Sequence, residues 1–257
     1  DNEQTADKWR RALEAHQLPQ TCAHFVDSDE ASALAGIPLK NPALYFPEGA
    51  CVDLPQFCAR ELARYSEHIE VVPNEILNFD EISADIVILC NAHEILKFPS
   101  MQNLPIRKVR GQTCLLESTP RLSQLKSILC FNGFLTPRLS DGSHLLGATY
   151  SNADESLDIR EGENAELMDG LLRNVPTLGD QILRVRSSWA QHRTNVSGMN
   201  PLVGHWKDSV YISTAFSSRG SLYAPLAAEL IASKAFGEPL PIERNLDEEI
   251  SPHRMLS

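Results

Sequence analysis

The chain has 257 residues, 42% hydrophobic and 22% charged, a composition typical of a globular protein that buries a core in one or two domains. Its formal net charge of −11 excludes a broad electrostatic attraction to nucleic acid, so any RNA contact has to be local. No apolar run reaches the roughly 18 residues of a membrane helix, and the charged first residues lack the apolar region of a signal peptide. We therefore expect a soluble cytoplasmic protein whose six cysteines are reduced core thiols.

The first part of the chain predicts helices followed by a buried strand. Helical patterns cover residues 8–16 and 28–35, and a third helix follows a capping signal in which Gln56 lies three residues after Asp53. A short strand-like run spans residues 69–72. Residues 85–90 read DIVILC, a continuous apolar run that is typical of a parallel strand buried on both faces.

From Ser127 onward the pattern changes to short alternating strands. The dipeptides Asn132-Gly133 and Asp141-Gly142 predict hairpins, because both central positions of a type I′ turn need positive φ. The remaining predicted elements are an acidic helix (161–172), strands (185–189 and 210–214), a loop (215–221) and a last helix from about 224 to 236 with Pro225 in its first turn.

These elements predict an α/β plus antiparallel β architecture. Parallel-sheet pieces lie near both ends of the sequence, with an antiparallel sheet between them, and we expect the two end pieces to share one sheet. The sequence contains no internal repeat.

The loop before the last helix is the first candidate for chemistry. It follows a buried strand and precedes a helix N-terminus, where unpaired N–H groups and the macrodipole favour negative charge. An ordinary βα turn explains the same residues. The candidate residues are Phe216, Ser217, Ser218, Arg219, Gly220, Ser221 and Leu222.

Two further segments have both a functional and a plain structural interpretation. Arg193 lies in a loop between predicted strands and is either a solvated surface charge or a bidentate clamp for a substrate carboxylate. His192 beside it is interpreted as a packed or surface histidine. Gly111, followed by Gln112, precedes a predicted strand and either lets a flat ligand approach the backbone closely or forms a simple turn.

Other site classes find little support. Cys22 and His24 lack a second pair with zinc-ligand spacing, so no metal site is expected. A serine hydrolase would need G-x-S-x-G, which is absent. The sequence also contains no G-x-G-x-x-G, the turn that binds the pyrophosphate of a dinucleotide.

Several blocks resemble the glycine oxidase and D-amino-acid oxidase superfamily in matching order, over about residue 43 to the C-terminus. Within it they are most similar to the oxidase half of bifunctional enzymes that modify the tRNA wobble uridine. CFNGFLTP, with LPIRKVRGQT upstream, is the more specific part, whereas SRGSLYAP is shared by many flavin amine oxidases. The blocks are ALYFPEGACVDLPQFCARELA, DIVILCNAHEILKF, LPIRKVRGQT, LKSILCFNGFLTP, LLGATY and AFSSRGSLYAPLAAELIA.

The resemblance implies a partial Rossmann-like FAD-binding domain with an antiparallel-sheet substrate domain, and FAD as the cofactor. It implies oxidation of 5-carboxymethylaminomethyluridine in tRNA, with an N-terminal methyltransferase domain in the full-length protein and no membrane partner. The domains implied are a helical entry and start of the substrate domain (1–84), a flavin-domain strand (85–110), the substrate domain (111–190) and a return to the flavin domain (191–257).

The resemblance also assigns the candidate residues. Arg193 matches the arginine that clamps the substrate carboxylate, residues 216–222 match a flavin-contacting loop, and Gly111 and Gln112 match a segment near the flavin. Two departures stand out: Gly198 occupies the position of an acidic residue, and fewer residues than usual separate Val72 from Glu75.

Three functions follow as alternatives. The first is the tRNA-modifying oxidase, the second is an oxidase of free glycine, sarcosine or D-amino acids, and the third is a non-catalytic remnant or assembly module. Because the G-x-G-x-x-G turn is absent, we expect these residues alone to bind FAD weakly or not at all.

Overall fold

The computed structural model describes residues 3–198 and 200–255, which divide into two compact units. Unit 1 comprises Asp1–Asp53, Gly111–Tyr150 and Leu157–Gln191, and unit 2 comprises Leu54–Arg110, Ser151–Ser156 and His192–Ser257. The assignment of a substrate domain and a flavin domain to these parts of the chain stays a prediction.

The residues that the structure describes form six α-helices and eleven strands. The helices are α1 (Glu3–His16), α2 (Ser28–Ala35), α3 (Leu54–Arg64), α4 (Glu161–Asn174), α5 (Gly220–Phe236) and α6 (Arg244–Ile250). The strands are β1 (His24–Val26), β2 (Ala43–Tyr45), β3 (Val87–Leu89), β4 (Arg107–Leu116), β5 (Leu129–Phe131), β6 (Gly133–Leu135), β7 (His144–Gly147), β8 (Ser151–Asn152), β9 (Val185–Asn195), β10 (Leu202–Lys207) and β11 (Val210–Thr214).

Unit 1 is built on antiparallel strands covered by helix α4. Strands β5, β6 and β7 pair in that order, and β7 pairs with β4, which forms the centre of a six-stranded sheet. Leu167 and Leu171 of α4 are buried in the same apolar cluster as Leu135 and Leu146 of the sheet. Burial of these side chains, at about 25 cal/mol per Å² of apolar surface, holds the helix on the sheet.

Unit 2 contains the three-stranded sheet β10-β11-β3. Strands β10 and β11 are antiparallel, whereas β11 and β3 are parallel, with Tyr211 opposite Ile88. The sheet confirms that the apolar runs near both ends of the sequence share one sheet. One expectation was wrong: Ile88 is 48% exposed, because β3 is the last strand of this sheet and its middle residue points away from the cluster that buries Val87 and Leu89.

Helix α2 follows its predicted bounds because both ends are capped. The Asp27 carboxylate accepts hydrogen bonds from the backbone N–H groups of Asp29 and Glu30. Gly36 ends the helix with φ 77°, a conformation that glycine adopts without a steric cost.

The β5–β6 hairpin is confirmed, but its glycine serves a different purpose from the one predicted. Gly133 lies in β6 opposite Phe131 and is not among the residues with positive φ. A Cβ on Gly133 would lie 2.7 Å from the carbonyl oxygen of Gly147 and 2.9 Å from the Phe131 ring. Close approach between neighbouring strands, rather than turn geometry, therefore requires the glycine.

Other predictions about local structure were wrong. Residues 69–72 form no strand, and Val71 is 73% exposed, so the run has no sheet to join. Helix α5 begins at Gly220 rather than 224, which places Pro225 inside the helix instead of in its first turn. Of the six cysteines only Cys114 is buried, and all six are free thiols.

Among the described residues, no helix combines the length and the apolar character that a membrane span requires. Within the same residues, no cluster of three or more histidine, cysteine, aspartate or glutamate side chains could hold a metal ion.

Candidate active site

The loop between β11 and α5 is a tight turn at the end of a buried strand. Ala215 and Ser217 adopt the left-handed region, with φ 62° and 55°, which few residues other than glycine do. The Arg219 N–H donates to the Phe216 carbonyl at 3.0 Å and closes the turn. Because the next residues begin α5, the first N–H groups of that helix lie beside this turn.

A hydrogen bond joins this loop to the end of strand β9. The Ser217 N–H donates to the Thr194 carbonyl at 3.0 Å, and Arg193 is the residue directly before Thr194. The prediction that Arg193 lies in a loop was wrong, because the strand predicted to end at 189 continues to Asn195. The candidate clamp arginine and the candidate flavin loop, which are 23 residues apart in sequence (216 minus 193), are thus neighbours within unit 2.

Two hydroxyl groups at this junction are buried without a protein partner. The Oγ1 of Thr194 and the Oγ of Ser217 make no hydrogen bond to any residue of the described ranges. A buried hydroxyl left unpaired costs about 1–3 kcal/mol, so such groups usually serve a bound ligand or water. The junction therefore offers two hydroxyls to a ligand with polar edges.

The loop that follows β3 reaches the same edge of the sheet. The Thr214 hydroxyl, at the end of β11, donates to the Ala92 carbonyl at 3.1 Å. Since β3 and β11 are parallel, the segments after their carboxyl ends meet where ligands bind in open α/β sheets.

His93, at this edge, is a candidate that the sequence analysis missed. Its Nε2 lies 3.1 Å from Oε1 of Glu94, which leaves Nδ1 as the acceptor of a neutral ring, and this Nδ1 is buried with no partner among the described residues. Burial lowers the pKa of His93, and the Lys108 ammonium lowers it further, so the ring is neutral at neutral pH. The available signal was its position three residues after the predicted buried strand at 85–90.

His192 packs against His93, with the two rings edge to face and their centroids 5.6 Å apart. Its Nε2 lies 2.9 Å from the Asp154 carbonyl, which confirms a packed histidine.

Gly111 and Gln112 belong to unit 1, in the middle of β4 rather than before a strand. The fully buried Gln112 carboxamide donates to the Arg160 carbonyl and to Asn164 Oδ1, both at 2.8 Å, and accepts from the Arg160 N–H at 2.9 Å. These bonds tether the start of α4. The role of this segment beside a flavin stays a prediction.

The comparisons with known proteins decide the family. Residues 1–234 match the family described as DAO, FAD dependent oxidoreductase. The chain belongs to this family. The DAO family uses FAD, and the chain is thus an FAD-dependent oxidoreductase.

Curated relatives of this DAO-family chain bear the name tRNA 5-methylaminomethyl-2-thiouridine biosynthesis bifunctional protein MnmC. The protein from Nitrosospira multiformis is 30% identical over 260 residues, which cover 90% of the chain and 42% of the relative. The one from Methylobacillus flagellatus is 29% identical over 286 residues, covering 96% and 44%. The chain thus spans less than half the length of these relatives.

Solved structures confirm the DAO-type fold, α/β with an antiparallel sheet. Glycine oxidase from Geobacillus kaustophilus matches with a TM-score of 0.81 at 16% identity, over 98% of this chain and 72% of its own. Iminodiacetate oxidase from Chelativorans sp. BNC1 matches with a TM-score of 0.80 at 20% identity, over 98% and 73%.

The junction in unit 2 fits the aromatic, polar-edged ring system of FAD, the cofactor of the DAO family. It provides the two unpaired hydroxyls, the unpartnered His93 Nδ1 and the first turn of α5. The residue before that helix, Arg219, makes no side-chain capping bond, because a guanidinium has no acceptor. Arg219 instead donates to the Tyr223 hydroxyl at 3.2 Å. The start of α5 therefore retains its capacity to stabilise negative charge.

Proposed function

We propose that this chain is the oxidase part of an enzyme that removes the carboxymethyl group from 5-carboxymethylaminomethyl(2-thio)uridine at the tRNA wobble position. The product is 5-aminomethyl(2-thio)uridine. The observation that carries the proposal is the hydrogen bond from Ser217 to Thr194, which joins the loop before α5 to the residue after Arg193. The names of the relatives from Nitrosospira multiformis and Methylobacillus flagellatus support the choice of substrate.

The reaction breaks a C–H bond in the N-carboxymethyl group and then the C–N bond. FAD, when bound, would supply the hydride acceptor. The carbon between amine and carboxylate would lose the hydride and the nitrogen a proton, which leaves a substrate imine. Water adds to the imine, and the C–N bond breaks to give the primary amine and glyoxylate. The protein's task is to hold the carboxylate and the amine in position and to receive an unprotonated amine.

In this proposal Arg193 grips the substrate carboxylate through two parallel hydrogen bonds, which fixes both the position and the rotation of the reacting group. Residues 216–222 would hold the flavin, and the start of α5 would stabilise negative charge on the ring. The contact of Gly111 and Gln112 with the flavin stays a prediction from the resemblance. Since Gln112 uses its carboxamide to tether α4, its contact with the cofactor would be made by backbone.

The partners follow from the same resemblance. Because the curated relatives are named as bifunctional, we infer that a methyltransferase domain accompanies the oxidase in the full-length protein. The substrate is tRNA, and a cytoplasmic location is part of the proposal.

The test supplies the protein with excess FAD and with tRNA carrying 5-carboxymethylaminomethyluridine. We expect glyoxylate in the supernatant and 5-aminomethyluridine in the nucleoside digest by mass spectrometry. A panel of glycine, sarcosine, iminodiacetate and D-amino acids is assayed in parallel. Turnover of a small amine with no change in the tRNA would contradict the proposal in favour of a free amino-acid oxidase, and no turnover of either would favour a non-catalytic module.

A further inference from the structure

A cavity of about 350 Å³ lies in unit 1, and none of the residues that line it has been assigned a role above. Its walls are the tip of the β5–β6 hairpin, the segment after β7 and the outer turns of α4. We name it the α4 cavity. The residues that matter are Phe131, Asn132, Glu166, Gly170, Arg173 and Asn174.

Gly170 is the feature that first indicates a ligand. It lies inside α4, where glycine costs roughly 0.5–1 kcal/mol relative to alanine. A Cβ at this position would meet nothing within 4 Å, so crowding by the described residues does not explain the glycine. Its absence of a side chain leaves the helix backbone bare on the wall of the cavity.

The polar groups around Gly170 are available to a ligand. The Asn174 amide nitrogen donates to the Gly170 carbonyl at 2.8 Å, which fixes the carboxamide and leaves its oxygen as an acceptor. Glu166 and Arg173 are exposed, and neither forms an ion pair within residues 3–198 and 200–255. Asn132 is exposed at the hairpin tip.

Phe131 supplies an aromatic surface to the same cavity. Its ring packs against the core of unit 1 on one side and remains partly exposed. A half-buried ring beside two carboxamides, a carboxylate and a single cation is the chemistry that recognises an unstacked nucleobase, by stacking and by hydrogen bonds to its edge. Phe131, Asn132 and Gly133 also belong to the CFNGFLTP block.

We infer that the α4 cavity binds an unstacked base of a single-stranded RNA loop, with Phe131 stacking on the base and Gly170 giving it room beside the helix. The inference rests on the proposed function, because it names where the tRNA substrate makes a second contact. It agrees with the net charge of −11, since recognition here depends on stacking and on one arginine rather than on a basic surface.

The test measures binding of a fluorescent anticodon stem-loop by anisotropy, with a blunt duplex of the same stem as the control RNA. Gly170→Ala fills the cavity wall, and Gly162→Ala is the matched control, because Gly162 lies in the same helix, faces open space and does not line the cavity. Both variants should have a melting temperature at or above that of the wild type, since alanine favours the helix. Phe131→Leu removes the stacking surface and keeps an apolar side chain.

We expect Gly170→Ala and Phe131→Leu to raise the Kd for the stem-loop at least about fivefold, which is the lower end of the effect of losing one stacked base. Gly162→Ala should bind the stem-loop like the wild type. Arg173→Gln should make the plot of the logarithm of the association constant against the logarithm of the salt concentration less steep by about 0.7, the value for one phosphate contact on a single strand. Equal binding by the two alanine variants, or wild-type binding that is no tighter to the stem-loop than to the duplex, would overturn the inference.

The outcome is separable from that of the proposed reaction. Oxidation of modified tRNA by the wild type is assayed separately, as release of glyoxylate. Failure of that assay together with Gly170-dependent binding of the stem-loop would remove the proposed function and leave an RNA-binding cavity. The reverse result would leave the oxidase and remove the cavity.

Discussion

Replacing Thr194 by valine should move stability and cofactor affinity in opposite directions. The Thr194 hydroxyl is buried and has no partner among the described residues, a situation that costs about 1–3 kcal/mol. Valine has nearly the same shape, so Thr194→Val should raise the free energy of unfolding by roughly 1 kcal/mol or more without FAD. If the hydroxyl binds the cofactor, the same change removes one hydrogen bond worth about 0.5–1.5 kcal/mol. The Kd for FAD should then rise about two- to tenfold.

The assay pairs urea unfolding with FAD titration followed by flavin fluorescence. Thr113→Val is the matched control, because the Thr113 hydroxyl is likewise buried and unpartnered within the described residues but belongs to unit 1. We expect the control to gain stability and keep the wild-type affinity. An unchanged FAD affinity in Thr194→Val, or a loss of stability, would refute the assignment of this hydroxyl to the cofactor.

Three further predictions concern the clamp, the acid response and the thiols. Arg193→Lys should raise the KM for the carboxylate substrate about tenfold or more, since lysine cannot form the two parallel bonds, and an unchanged KM would place Arg193 outside the site. Burial lowers the pKa of His144, so the unfolded chain binds more protons below pH 6.5 and urea midpoints should fall as the pH drops, less steeply in His144→Gln. Burial also raises the pKa of Cys114 to about 11, so a thiol reagent should modify the exposed Cys51 and Cys58 first and Cys114 only on unfolding.

The sequence predicts best the elements whose ends carry their own signals. Asp27 and Gly36 cap α2 through local hydrogen bonds and backbone conformation. Both interactions depend only on residues that are close in sequence, so the sequence pattern predicts them. Strand β11 was predicted at its observed bounds, and the three apolar residues that begin it, Val210, Tyr211 and Ile212, are all buried. Residues 69–72 carry the same β-branched composition, yet no neighbouring strand pairs with them, and composition does not record pairing.

The site was predictable only where a segment is chemically distinctive. The loop before α5 and Arg193 were recognisable from their residues, whereas the bond between Ser217 and Thr194 depends on tertiary contact. His93 was missed because nothing in its immediate sequence shows that its Nδ1 is buried. The purpose of Gly133 was likewise invisible, since the strand that crowds it, β7, follows later in the chain.

The most direct test is the visible spectrum of FAD held by the protein, titrated with glycolate, which keeps the carboxylate and methylene of the substrate and lacks the amine. If Arg193 and the loop before α5 serve one cavity, glycolate should shift the flavin absorption saturably in the wild type and about tenfold less tightly in Arg193→Lys. An equal affinity for glycolate in the wild type and in Arg193→Lys would contradict a shared site. The absence of any flavin shift in the wild type at saturating FAD would contradict it as well.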